Sequence, residues 1–148
     1  MRFEFGPSGV GGASAVPLFP EEFAEGILSL PELTVSPELT ANAVIEQFGT
    51  GTLGGKLNFL GDGLSFTPGS KLYSGGASMH LTLLFREDRL CSVTLAPRRY
   101  TGLDVPDEQD LEQCLAFLAP LFEGVSRRYY WGSAVLDEAA GAIVLRYL

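Results

Sequence analysis

Across residues 56–97 large apolar residues return at every second position, a period that fits strands and not a helix. Leu57 and Phe59, then Leu64 and Phe66, bracket the turn Gly61-Asp62-Gly63. Beyond a Gly75-Gly76 break, Met79, Leu81, Leu83 and Phe85 alternate with His80, Thr82, Leu84 and Arg86. Glu87, Asp88 and Arg89 then turn the chain into Cys91, Val93 and Leu95. Strands joined by turns this short pair antiparallel.

On either side the period lengthens. Pro20 with Glu21, Glu22 and Glu25 starts a helix over 20–30 that Gly26 weakens. Ser36-Pro37-Glu38 supplies an N-cap hydroxyl, a proline at N1 and a first-turn acid. Ala41, Val44, Ile45 and Phe48 follow at helical spacing, with Gly49 as a left-handed stop. Residues 104–123 hold six carboxylates and no Lys or Arg, while Leu111, Cys114, Leu115, Leu118 and Phe122 recur on one face. That pattern predicts an amphipathic helix over 107–118 with an acidic outer edge, bent or ended near Pro120 and closed by Gly124. At about 100° per residue, Phe117 falls about 120° from the stripe centre, beside Asp110. It is either the flank of a wide buried arc or an exposed aromatic.

Residues 129–136 and 142–147 read as a second hairpin, turned at 137–141. Phe3 and Phe5 suggest a short strand, followed by a flexible Gly/Pro/Ser loop over 6–17. The order predicts an α+β fold in which two to three helices pack on one face of an antiparallel sheet, as a single domain over 1–148. A charged fraction of only 19% against 46% hydrophobic residues excludes a disordered chain.

The net charge of −8 is unevenly spread: residues 1–55 carry −6, 56–103 carry +3 and 104–123 carry −6. Such a field repels phosphates and anionic lipid heads, so nucleic acid and membrane are excluded as partners and a basic protein surface is favoured. Residues 1–12 hold no apolar stretch of signal-peptide length, and no run of about 18 apolar residues occurs, which predicts a soluble cytoplasmic protein. Cys91 and Cys114 are expected as two reduced, buried core thiols, since a domain of this size needs no staple.

Motifs for chemistry are weak. Gly49-Thr50-Gly51-Thr52-Leu53-Gly54 matches a dinucleotide-binding pattern, but it leaves a helix and enters a strand, the reverse of what places a pyrophosphate on a helix N-terminus. His80 is the only histidine, so metal sites built from several imidazoles lack ligands, and no cofactor is implied. His80 and Cys91 lie across one hairpin, yet alternation aims them at opposite faces, against a nucleophile–base pair. The carboxylates Asp107, Glu108, Asp110 and Glu112 diverge along one helix edge, whereas acid–base pairs converge across a cleft. They serve either as a solvated edge or as a protein-binding face. Arg127-Arg128-Tyr129-Tyr130-Trp131 has too few bases to bind phosphates, and Trp131 either packs in the core or anchors an interface.

The start Tyr130-Trp131-Gly132-Ser133, the acidic turn Asp137-Glu138 and the finish Ala142-Ile143-Val144-Leu145-Arg146-Tyr147 resemble small bacterial immunity proteins of polymorphic-toxin and type VI secretion systems. The helix ending in Phe48-Gly49 and the hairpin from Arg86 to Leu95 are similar in style. The resemblance implies a non-enzymatic inhibitor that binds a cognate toxin, without assigning residue roles. The acidic edges and the interface-type aromatics make Asp107, Glu108, Asp110, Glu112, Phe117, Trp131, Asp137 and Glu138 the expected partner-binding residues. A homodimer is compatible with this reading. The alternatives are an acidic secretion chaperone or adaptor that holds an effector without inhibiting it, and a small-ligand or enzymatic domain using His80 on the sheet.

Overall fold

The structure, a computed structural model, describes residues 15–49, 55–61, 63–98 and 107–148. Of these, 47% lie in strands and 20% in three helices, an α+β fold dominated by its sheet. The expected strand at Phe3 and Phe5, most of the loop over 6–17, Asp62 of the proposed turn, Asp104 and residues 50–54 of the glycine run lie outside the described residues.

The alternation read at Met79 to Phe85 forms the middle of the sheet. Strand β7 (Ala77–Arg86) turns through Glu87-Asp88 into β8 (Arg89–Ala96). Both turn residues take positive φ, 50° and 65°, the geometry of the tightest hairpins even though neither is glycine. The Asp88 carboxylate accepts the Asn42 N–H at 2.7 Å, tying that turn to the first turn of α2 (Ala41–Phe48). On the other edge of β7, β6 (Lys71–Ser74) pairs with one half and β5 (Gly63–Pro68) with the other, and β4 (Gly55–Leu60) lies outside β5. Beyond β8 come β11 (Ala142–Tyr147), β10 (Gly132–Asp137) and β9 (Ser126–Tyr129), in that order. The pairings are antiparallel with one exception. β1 (Ala15–Pro17), at the end of the segment expected as a loop, runs parallel to β6.

One face of this sheet is buried. Met79, Leu81, Leu83 and Phe85 meet Val93 and Leu95, then Ile143 and Leu145, and all are inaccessible or nearly so. Each such side chain contributes roughly 1.5–3 kcal/mol when removed from water. The three helices cover this face. Phe48 of α2 packs on Phe66 at 4.5 Å. Phe23 of α1 (Pro20–Ala24) meets Phe122, Tyr129 and Trp131. α3 (Glu108–Leu118) crosses β7, β11 and β6.

Several boundaries differ from the pattern. The first helix stops at Ala24 because Gly26 takes φ 75°, and the chain enters a small hairpin, β2 (Leu28–Ser29) and β3 (Thr34–Val35). Ser36 closes only a turn, accepting the Leu39 N–H, while Thr40 caps α2 by accepting from Ala43 N at 3.2 Å. Gly49 keeps a right-handed φ of −68° rather than the left-handed stop. The strand expected over 129–136 is interrupted: Tyr130-Trp131 is the two-residue turn between β9 and β10. Among the described residues no helix is long and apolar enough to cross a membrane.

Candidate functional site

The acidic helix forms where the sequence places it, with a phase the pattern did not show. Asp107 is its N-cap, accepting from Asp110 N, while the Asp110 carboxylate accepts from Asp107 N, both at 3.0 Å. This reciprocal capping box satisfies two of the amides a helix start leaves open. It also turns Asp110 inward. Asp110 is only 5% exposed and pairs with Arg98 at 3.1 Å, with Arg98 Nε a further donor at 3.2 Å. Asp110 therefore holds the fold together and is not a partner-binding residue. Phe117, two turns along the same side, is fully buried, which excludes it too from any docking face.

The buried arc is thus Asp110, Cys114, Phe117 and Leu118, and the apolar stripe centred on Leu111 and Leu115 lies at its flank. Leu111 is partly buried and Leu115 is 47% exposed. Two contacts set this rotation: Ser74 Oγ donates to the Phe117 carbonyl at 2.9 Å, and the Cys114 thiol donates to the Gly141 carbonyl at 3.5 Å.

Trp131 also leaves the list of docking residues. Its indole N–H donates to the Ala24 carbonyl at 3.0 Å, and its ring stacks on Tyr129 at 5.1 Å and packs on Tyr147 at 4.8 Å. With Phe23 and Phe122 these rings form an aromatic cluster that fixes the short first helix on the sheet. Tyr147 donates its hydroxyl to Gly26 at 3.0 Å, and burial raises its pKa.

Asp107, Glu108, Glu112, Asp137 and Glu138 remain exposed. The hydrogen bond from Leu136 N to the Val125 carbonyl, 2.8 Å, draws the turn carrying Asp137 and Glu138 beside Val125, and Gly141 of the same turn rests on Cys114. Glu108 and Glu112 lie about 20° and 60° around the helix from Leu115. Between the helix and the start of β9 opens a groove of about 480 Å³ lined by Leu115, Ala119, Phe122, Glu123, Gly124 and Val125. Val125 is 49% exposed. Among the described residues no base pairs with Glu108, Glu112, Glu123 or Glu138. In the sequence Leu115 does not read as a surface group, because it sits on the apolar stripe.

No known protein family, characterised protein or solved structure matches this chain.

Cys91 departs from its expected burial. Leu84 pairs with Ser92 but Phe85 pairs with Leu90, so Cys91 is the extra residue of a β-bulge and is only partly buried, its thiol 3.7 Å from the Arg89 carbonyl. His80 pairs with Ala96, which sets it about 16 Å along the strand from Cys91. The two do not form a nucleophile–base pair.

Cys114 is buried, and desolvation, then the nearby Asp110 charge, push its thiol from 9.0 up to about 11. The unfolded chain releases this proton first. The contribution of this thiol to stability is therefore complete below about pH 9 and is lost as the pH rises towards about 11. Urea midpoints are expected to drop between about pH 9 and about pH 11, and to drop less in Cys114→Ala. An equal fall in both would place the effect elsewhere.

Removing Asp110 abolishes half of the capping box and leaves Arg98 without this carboxylate. The Arg98 side chain is 41% exposed, so water takes over part of its charge. Asp110→Ala is expected to cost about 2–3 kcal/mol by thermal or urea unfolding, against about 1 kcal/mol for Asp107→Ala.

Proposed function

We propose that this chain is a non-enzymatic protein-binding inhibitor, an immunity protein that neutralises a cognate toxin by docking on it. The groove beside α3 is the docking face. The observation that carries the reading is the exposure of Leu115 and Val125 at 47% and 49%, in a groove that includes Glu123 and has Glu108, Glu112, Asp137 and Glu138 around it. Apolar anchors ringed by unpaired carboxylates suit a basic protein surface that offers one or two apolar side chains between its lysines and arginines. The carboxylates would steer encounter, and burial of Leu115 and Val125 would set the lifetime of the complex.

The reading calls for a cytoplasmic chain and no cofactor. Its test is co-expression with a toxin encoded beside it: cells survive, and purified toxin loses activity at an equimolar amount of this chain. A complex that leaves toxin activity intact while its loss blocks effector export would instead identify a secretion adaptor. No complex with any neighbouring gene product would sink both.

A further inference from the structure

The sheet face turned away from the helices has the opposite electrostatic character. The pairing register places Leu84, Ser92, Arg146, Ser133 and Arg128 in one continuous row across β7, β8, β11, β10 and β9. The adjoining row runs Thr82, Thr94, Val144, Val135 and Ser126. Arg86 and Lys56 project from the same side by alternation. Among the described residues no carboxylate stands within these rows. Glu87, Asp88 and Asp137 occur only in the turns or strand ends that border them. A chain of net charge −8 therefore keeps one surface that is hydroxyl-rich and basic.

That face also has a hollow. Arg128, Ser133 and Arg146 line a depression of about 420 Å³ at the end of these strands, together with Tyr129, Gly132, Tyr147 and Leu148. Two strand spacings, roughly 10 Å, separate the backbones of the two arginines, and both side chains are long enough to lean over Ser133 from opposite sides. Guanidinium groups so placed match carboxylates, which accept their paired N–H groups, and the Ser133 hydroxyl adds a donor. At physiological ionic strength charges more than about 8 Å away are largely screened, so the distant acids of α3 do not cancel this field.

We propose that the Arg128–Ser133–Arg146 row is a second docking surface, one that receives an acidic protein segment. A single-stranded nucleic acid fits less well, because two arginines neutralise too few of the successive phosphates such a strand presents. A second copy of this chain would have to bring its acidic helix side to this face. Such a head-to-tail contact closes only at special rotations and otherwise extends without end.

The test uses the full chain, isotope-labelled, titrated at physiological salt with poly-L-glutamate, and separately with oligothymidylate. Poly-L-glutamate is expected to shift the amide signals of Arg128, Ser133, Arg146 and Ser92 while leaving those of Glu112 and Leu115 in place. In the double variant Arg128→Gln/Arg146→Gln, affinity is expected to fall roughly fivefold or more, with an unchanged unfolding midpoint. The double lysine variant should keep part of the binding, because charge survives while the paired geometry is lost. Shifts confined to other surfaces, tighter binding of oligothymidylate, or salt-sensitive self-association at this face would each overturn the proposal. The test does not use the α3 groove, so a chain that inhibits no toxin but binds poly-L-glutamate at this row refutes only the inhibitor reading.

Discussion

Phe117→Ala is expected to destabilise the protein by about 3–5 kcal/mol, enough to remove a large share of the 5–15 kcal/mol typical of a domain. The ring is wholly inaccessible and sits on the α3 side that faces β6 and β7. Its deletion leaves a cavity that the helix cannot collapse into, because the Phe117 carbonyl is held by Ser74 Oγ and Cys114 is held by Gly141. The thermal midpoint should fall by about 10 °C or more for a chain of this length. Phe117→Leu, which keeps most of the volume, should lose much less. A loss below about 1 kcal/mol in Phe117→Ala would mean that the ring is not packed as described.

Gly75→Ala is the second large effect. Gly75 has φ 60°, a left-handed conformation that costs a residue with a Cβ about 1–2 kcal/mol. An added Cβ would also collide with the Ala116 carbonyl oxygen and press on Pro120 Cδ at 3.1 Å. The obstacle is helix backbone, which cannot rotate away, so α3 must lift from the β6–β7 turn. The combined cost is expected to reach about 3–4 kcal/mol by urea unfolding. The neighbouring Gly76 has φ 86° but open space around it, so Gly76→Ala isolates the conformational part and should cost about 1–2 kcal/mol. Equal losses at the two positions would show that the contact with α3 contributes nothing.

The parts of the fold legible in the sequence were those whose cause is local. Period-two apolar residues from Met79 to Phe85 and from Val93 to Leu95 locate the central hairpin, and the acids and apolar residues from Asp107 to Leu118 locate α3 to within one residue. The parts that were not legible depend on distant partners. Asp110 reads as surface until Arg98, outside the helix, turns out to hold its carboxylate. That inward acid and the Ser74 contact rotate the helix, exchanging Leu115 for Phe117 in the core. Cys91 follows the apolar alternation in sequence, yet a one-residue bulge moves it off the buried face. Trp131 looks like a strand residue, but the turn at Tyr130-Trp131 swings it under α1, where Ala24 accepts its N–H. The parallel pairing of β1 with β6 joins segments more than fifty residues apart and leaves no mark on local pattern.

Of the residues expected to dock a partner, Asp107, Glu108, Glu112, Asp137 and Glu138 lie at the surface, where their charge is solvated. Leu115 beside them is the group that period counting hides, because a leucine at stripe spacing reads as core.

The proposed division of α3 into an inward side that builds the fold and an outward side that docks a partner is tested most directly by Leu115→Asp, measured twice on the same preparation. Unfolding should change by no more than about 1 kcal/mol, since the side chain is half in water. Affinity for the cognate toxin, by calorimetry, should fall by roughly tenfold to a hundredfold, since a central apolar anchor is replaced by a buried charge. Unchanged affinity in a stably folded Leu115→Asp protein would contradict the assignment of the docking face.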